Sequence, residues 1–126
     1  MTKTTDGNNS FAATSVYETK IFNLGDSSAT KKLVSFTIIT VPLLGPSNDA
    51  QVVVKYNINN NIGNSTFGTT ILTHSTTGAI SKTAINDSSG ANLPEFKEIQ
   101  FRLESTKNAI ITGYKFKWEF IDKDIA

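Results

Sequence analysis

Residues 95–121, EFKEIQFRLESTKNAIITGYKFKWEFI, carry the clearest pattern in the chain. In the first half Ile99, Phe101 and Leu103 alternate with polar residues, and in the second half four aromatic residues alternate with charged ones. A period of two is the pattern of a strand with one buried face, whereas a helix would scatter these side chains around its surface. The short polar segment between the halves contains Asn108, which tolerates a left-handed conformation. The stretch therefore predicts two strands paired as a β-hairpin.

Five further segments have the alternation or the β-branched and aromatic content of strands, and Gly, Pro or Asn-rich turns separate them. They are Val16–Phe22, Lys31–Val41, Gln51–Ile58, Phe67–Thr73 and Ala79–Ile85. In the second segment, alternation places Val34, Phe36 and Ile38 on one face. The last two segments are expected to pair as a second hairpin through the loop at residues 74–78.

Seven strands without a helical stretch predict an all-β fold, an antiparallel β-sandwich of immunoglobulin-like or jelly-roll type. A chain of 126 residues has the size of one domain. We expect a flexible N-terminal arm at residues 1–15, the β-sandwich domain at 16–122 and a C-terminal tail at 123–126.

Composition argues against several classes of function. The net charge is +1, which does not favour binding to nucleic acid, because such binding needs concentrated positive charge. The chain contains no cysteine, so neither disulfides nor thiolate chemistry are available to it. No apolar run has the length of a membrane span, and the polar first 15 residues lack the apolar centre of a secretory signal. We therefore expect synthesis in a cytoplasm.

No catalytic constellation is visible in the sequence. His74 is the only histidine, and it is expected to be a solvated or hydrogen-bonded residue of a turn. The aspartates lack the dense spacing of a calcium loop. Glu98 and Glu104 flank Arg102 on one strand, which indicates charge pairing on a solvated face rather than the paired acids of a glycosidase. We predict a protein that is not an enzyme and that uses no metal or other cofactor.

Two residues of the aromatic row, Trp118 and Tyr114, have two possible interpretations. An exposed row would be a platform on which sugar rings stack, as in many carbohydrate-binding modules. The matching apolar row at 99–103 instead favours the inner face of a core strand. Phe11 is the single aromatic residue of the predicted arm and is a candidate contact with a neighbour in an assembly.

Five segments together resemble β-sandwich domains found in structural proteins of tailed bacteriophages. They are YETKIFN at 17–23, VVVKY at 52–56, THST at 73–76, EIQFRLES at 98–105 and ITGYKFK at 111–117. The resemblance implies a non-enzymatic virion protein, a decoration or tail/neck accessory component, which contacts other virion proteins as a homo-oligomer or in many copies on the particle. It leaves open whether the chain is a stand-alone component or a domain of a longer protein.

Two other functions stay open. The first is a carbohydrate- or receptor-binding module that recognises a host-surface glycan through Trp118 and the loops at residues 57–65 and 86–93. The second is an enzyme that uses His74. Burial of Trp118 would favour the assembly protein, whereas its exposure beside polar loops would favour the glycan-binding module.

Overall fold

The computed structural model describes residues 15–44, 50–62, 67–106 and 109–121. Within these ranges the chain forms eight strands and one short 3₁₀ turn, Asn59–Asn61. Most of the predicted arm and the whole predicted tail lie outside the described residues. The strands are β1 Ser15–Glu18, β2 Lys31–Thr40, β3 Gln51–Ile58, β4 Thr69–His74, β5 Ser81–Ala84, β6 Glu95–Phe96, β7 Ile99–Thr106 and β8 Ile111–Phe120.

The strands form two antiparallel sheets of four strands each. The first sheet has the order β1-β7-β3-β4. In the second sheet the long strand β2 is central: β8 pairs along one side of it, and β5 and β6 pair one after the other along its opposite side. The inner faces of both sheets contribute to one apolar core. The predicted all-β antiparallel sandwich is therefore confirmed.

Both predicted hairpins are wrong. β7 pairs with β1 and β3 in the first sheet, whereas β8 pairs with β2 in the second. Likewise β4 pairs with β3, and β5 pairs with β2 in the opposite sheet. At both points the chain passes from one sheet to the other, and we call such a change of sheet between consecutive strands an arch. Alternation is the same for two strands that face each other across a sandwich and for two that hydrogen-bond side by side, so it could not identify the partner.

Phe101 on β7 is the centre of the packing between the sheets. Its side chain is fully buried, and its ring centroid lies 4.7 Å from that of Phe36 on β2 and 5.0 Å from that of Phe116 on β8. Phe22, which pairs with Ile99 through two backbone hydrogen bonds, packs edge-to-face against Phe116 at a centroid distance of 5.0 Å. These rings connect the first sheet to both long strands of the second.

A β-bulge at Val34 changes which residues of β2 face the core. Leu33 lies opposite Trp118 and Ser35 opposite Lys117, so Val34 is the extra residue on its strand. The bulge allows Leu33 and Phe36, an odd and an even position, both to point inward, while Val34 remains exposed. The prediction that Val34 shares a face with Phe36 is therefore wrong, because strict alternation assumes a strand without a bulge.

Lys31, the first residue of β2, is completely buried. Its Nζ donates hydrogen bonds to the backbone carbonyl oxygens of Asn23 at 2.8 Å, Asp26 at 2.5 Å and Lys97 at 2.6 Å. An ammonium group has three donors, so the three carbonyls satisfy all of them. Burial lowers the pKa of Lys31, an effect that the charges of Asp26 and Glu98 oppose. The side chain thereby fastens the turn after Phe22 and the corner between β6 and β7 to the start of β2.

Replacement of Lys31 by Met tests this interaction, because methionine is of similar length but leaves the three carbonyls without their donor. We expect Lys31→Met to lower the free energy of unfolding by about 2–4 kcal/mol, since unsatisfied buried acceptors cost roughly 1–3 kcal/mol each and water reaches some of them. Urea denaturation measures the change. The matched control is Lys32→Met at the exposed neighbouring position. Equal stability of the two variants would contradict the proposed role of Lys31.

Candidate interaction surface

The two lateral sides of the sandwich differ in how they are covered. On the side of β4 and β5, which we call the closed side, Lys82 Nζ donates a hydrogen bond across the sheets to the carbonyl of Thr73 at 2.9 Å. The backbone N–H and the hydroxyl of Ser88 both donate to the carbonyl of Thr70, at 3.1 and 3.0 Å. These contacts occupy outward carbonyls of β4 and protect an edge that could otherwise pair with another strand.

The opposite side, which we call the open side, is formed by the edge strands β1 and β8. Among the described residues β1 pairs only with β7, and β8 pairs only with β2. Large apolar side chains are accessible there: Val16 is 48% exposed, Tyr17 53% and Phe120 55%. Exposed apolar groups at an unpaired edge are typical of contact surfaces.

A cleft of about 360 Å³ enters the open side between the two sheets. Tyr17 stands at its mouth on β1, and Tyr114 lies on β8 with its ring stacked on Phe36 at a centroid distance of 5.9 Å. Burial raises the pKa of the Tyr114 phenol, and the neighbouring Tyr17 phenol, which is hydrogen-bonded to it, raises it further. The cleft therefore combines an apolar wall with polar hydroxyl groups. Its lining residues are Tyr17, Leu103, Ile111, Gly113 and Tyr114.

Trp118 is neither fully buried nor freely exposed. It lies opposite Leu33 on the inward face of β8, packs against the core and contacts Phe120 edge-to-face at a centroid distance of 5.0 Å. Tyr114 occupies the same inward face of the same strand. The structure thus places both candidate platform residues at the margin of the core along the open side.

One of the two loops predicted to accompany Trp118, the loop at 86–93, lies elsewhere. In the loop at 86–93, Ser88 bonds to Thr70 on the closed side. In the described part of the loop at 57–65, the Asn59 side-chain oxygen accepts the backbone N–H groups of Lys97 and Glu98 at 2.8 and 3.2 Å. Each loop is therefore tied to its own part of the scaffold. The first of them lies on the side of the sandwich opposite β8, so it does not form a joint site with Trp118.

Asp87 has a structural role in the loop at 86–93. Its Oδ1 accepts hydrogen bonds from the backbone N–H and the hydroxyl of Ser89, at 2.9 and 2.6 Å, and from the backbone N–H of Ala91 at 3.0 Å. The side-chain hydrogen bond from Ser89 is the main cause that lowers the pKa of Asp87. Asp26 makes the same kind of turn with Ser28. Both DSS tripeptides thus form local Asx turns.

His74 is not a turn residue but the last residue of β4, and its side chain is only 1% exposed. Its Nε2 lies 3.1 Å from the hydroxyl oxygen of Thr40. The expectation of a turn histidine is therefore wrong in position, because the strand extends one residue further than predicted.

In the described part of the chain, no group of three or more His, Asp or Glu residues could hold a metal ion. No helix in that part is long and apolar enough to cross a membrane.

The charged residues on the outer face of the first sheet form a chain of ion pairs. Arg102 contacts Glu18 at 3.4 Å and Glu104 at 2.9 Å, and Glu104 also contacts Lys55 at 3.4 Å. The Arg102 guanidinium also lies over the ring of Phe67, 5.7 Å from its centroid. The predicted charge pairing is present, and Glu104 is held by two cations rather than beside a second acid.

Phe11, the predicted assembly contact, lies outside the described residues. The open side was not predicted from the sequence, because β7 and β8 were expected to form one hairpin. Tyr17 and the aromatic row of β8 were the residues in the sequence that could have indicated this surface. They lie on the same side of the sandwich because β1 and β8 are edge strands of opposite sheets, which the sequence pattern does not reveal.

Fold and surface together define an antiparallel β-sandwich with one closed and one open side. No family model matches the chain, and neither the curated proteins nor the solved structures contain a significant match.

The buried His74 predicts a specific dependence of stability on pH. Burial first, and the charge of Lys82 second, lower its pKa below the ordinary 6.5. In the pH range between the lowered pKa and 6.5 the unfolded chain binds a proton at this residue and the folded chain does not. This residue therefore makes the free energy of unfolding fall as the pH decreases through that range.

We expect His74→Gln, which keeps a polar partner for Thr40, to lose less stability than the wild type between about pH 7.5 and pH 5. Urea denaturation at both values measures this difference, and the acidic groups common to both proteins cancel in the comparison. Parallel pH profiles of the two proteins would show that His74 is not protected from protonation.

Proposed function

We propose that this protein is a non-enzymatic structural component of a tailed-bacteriophage virion, a decoration or tail/neck accessory protein that acts through protein–protein contacts. The open side is its main contact surface, and other virion proteins are its partners. The observation that carries the proposal is the cleft between β1 and β8, which is open to solvent and lined by apolar groups and two tyrosines.

Physical chemistry supports a protein as the occupant of this cleft. Tyrosine combines a large apolar ring with a hydroxyl that can remain hydrated or donate a hydrogen bond, and it is enriched at protein interfaces. Tyr17 is half exposed, so a partner would remove much of its ring from water at a gain of about 25 cal/mol per Å² of apolar surface. The wall behind it, formed by Leu103 and Ile111, is already in place.

The resemblance of five strand segments to β-sandwich domains of tailed-phage structural proteins adds the biological setting. A virion carries many copies of such a component, so weak individual contacts are multiplied by avidity. The arm at residues 1–15 is part of this proposal, with Phe11 as its contact with a neighbour. Localisation in the virion, after synthesis in the host cytoplasm, follows from the same proposal.

A second candidate function is a carbohydrate- or receptor-binding module of a phage tail or another extracellular protein. The observation that favours it is that aromatic rings, Tyr17 and the partly buried Trp118, are accessible along one side of the sandwich. Sugar rings stack on such side chains. In this function the partner is a host-surface glycan and not another virion protein.

The test of the main proposal uses particles of the phage that encodes the chain. We expect the protein in purified particles, and we expect tagged protein to co-sediment with particles that lack it. Tyr17→Ala removes the ring at the mouth of the cleft and should weaken this binding at least about tenfold. The matched control, Ile85→Ala, changes a side chain that is 71% exposed next to β5 on the closed side, and should bind like the wild type.

Two results would overturn the proposal. The first is absence of the protein from the particles, and the second is particle binding that Tyr17→Ala leaves unchanged. A glycan array with the wild type and with Trp118→Ala separates the second candidate: binding that the variant loses while it remains folded would establish the glycan-binding function instead.

A further inference from the structure

We propose that the protein self-associates by pairing β8 with β8 of a second copy, antiparallel and about a two-fold axis at Trp118. This pairing would join the second sheets of two sandwiches into one continuous sheet. It concerns residues 115–121, the end of β8 and the residue that follows it, beyond the cleft, and does not depend on the virion function proposed above.

The hydrogen-bond directions show which residues of β8 offer their backbone groups to a partner. The N–H of Ile121 donates to the carbonyl of Thr30 at 3.0 Å, so Ile121 points its backbone groups toward β2. In an antiparallel pair, successive residues direct these groups alternately toward and away from the neighbouring strand. Phe120, Trp118 and Phe116 therefore direct theirs to the open side. In agreement, Leu33, opposite Trp118, donates its N–H to Pro94 on the far side of β2.

The outer-face charges distinguish between the possible registers. A two-fold axis at Phe116 would place Lys115 opposite Lys117 of the second copy, and an axis at Lys117 would place the two copies of Lys117 opposite each other. With the axis at Trp118, Lys117 of each copy lies opposite Glu119 of the other. This register gives two opposite-charge pairs and no like-charge pair. Opposite charges directly across two paired strands stabilise the pairing by roughly 0.2–1 kcal/mol per pair, whereas like charges in the same position destabilise it.

The same register is favourable on the inner face. Trp118 lies opposite Trp118 of the second copy, and Phe116 lies opposite Phe120. All of these residues direct their backbone groups outward, so each of these pairs also forms hydrogen bonds. Phe120, which is 55% exposed in the single chain, would be covered by the partner. Aromatic cross-strand pairs are among the more stabilising contacts in sheets.

The other edges are less suitable for pairing. The carbonyls of Thr70 and Thr73 on β4 are occupied by Ser88 and Lys82. β1 has only four residues and β5 also has four, whereas β8 has ten. Lysines on an edge strand can also prevent association, and a protein that stays monomeric because of Lys115 and Lys117 is the competing outcome of the test.

The test is a charge exchange, measured by analytical ultracentrifugation of the full chain over a range of concentrations. The wild type should form a dimer. Lys117→Glu and Glu119→Lys each place like charges opposite each other and should weaken the dimer at least about tenfold. The double variant Lys117→Glu/Glu119→Lys restores opposite charges and should recover most of the affinity.

The matched control is Lys115→Glu, which alters the net charge as Lys117→Glu does but faces Ile121 of the second copy in the proposed register. It should weaken the dimer much less. Because Glu119 lies opposite Lys32 within the molecule, urea denaturation of every variant verifies that the fold is retained.

The single tryptophan provides an independent signal, since the register places the two copies of Trp118 side by side. Iodide quenching of its fluorescence should decrease as the wild type dimerises, and should not change with concentration in Lys117→Glu. A monomer at all concentrations would overturn the proposal. A dimer that the double variant does not restore, or one whose Trp118 quenching is independent of association, would overturn the β8 register.

Discussion

The contact of Phe101 with rings from two strands of the opposite sheet is the interaction on which the rest of the structure depends. A sandwich is stable only if both sheets bury their inner faces against each other. Phe101 is fully buried and touches Phe36 and Phe116, which belong to neighbouring strands of the second sheet. Truncation of a buried phenylalanine costs about 3–5 kcal/mol, a large part of the stability of a domain of this size. The two arches serve the same packing, because they place consecutive strands, β4 with β5 and β7 with β8, in opposite sheets of the sandwich.

The sequence predicted the faces of the strands better than their partners. Alternation placed Ile99, Phe101 and Leu103 on the buried face of β7, as observed, but assigned β8 to the wrong sheet. The error has a physical cause, since pairing within a sheet and packing across a core require the same period of two. The bulge at Val34 was also invisible, because an extra residue in a strand has no fixed composition. Lys31 was missed for a related reason: nothing local indicates that a lysine will find three backbone carbonyls. The candidate surface depends on which strands become edges, and that is decided by the pairing the sequence did not predict.

The closed and open sides connect the fold to the proposed function. An unpaired edge is a liability in a soluble protein unless something covers it. Here Lys82 and Ser88 cover the edge of β4, while the ten residues of β8 have no such cover among the described residues. The cleft behind Tyr17 and the exposed Phe120 lie along this same side. A protein that works by assembly would use the side that its own chain leaves open. The cleft and the C-terminal half of β8 offer two separate contacts on that side.

The most direct test of the account is the pairing partner of β8, measured by backbone nuclear Overhauser effects in the isotope-labelled protein. We expect cross-strand contacts between the backbones of Phe116 and Phe36 and between those of Trp118 and Leu33. We also expect Phe101 and Phe116 to show contacts between their rings but not between their backbones. Sequential cross-strand contacts between the backbones of β7 and β8 would show a hairpin, and would contradict both the arch and the open side that results from it.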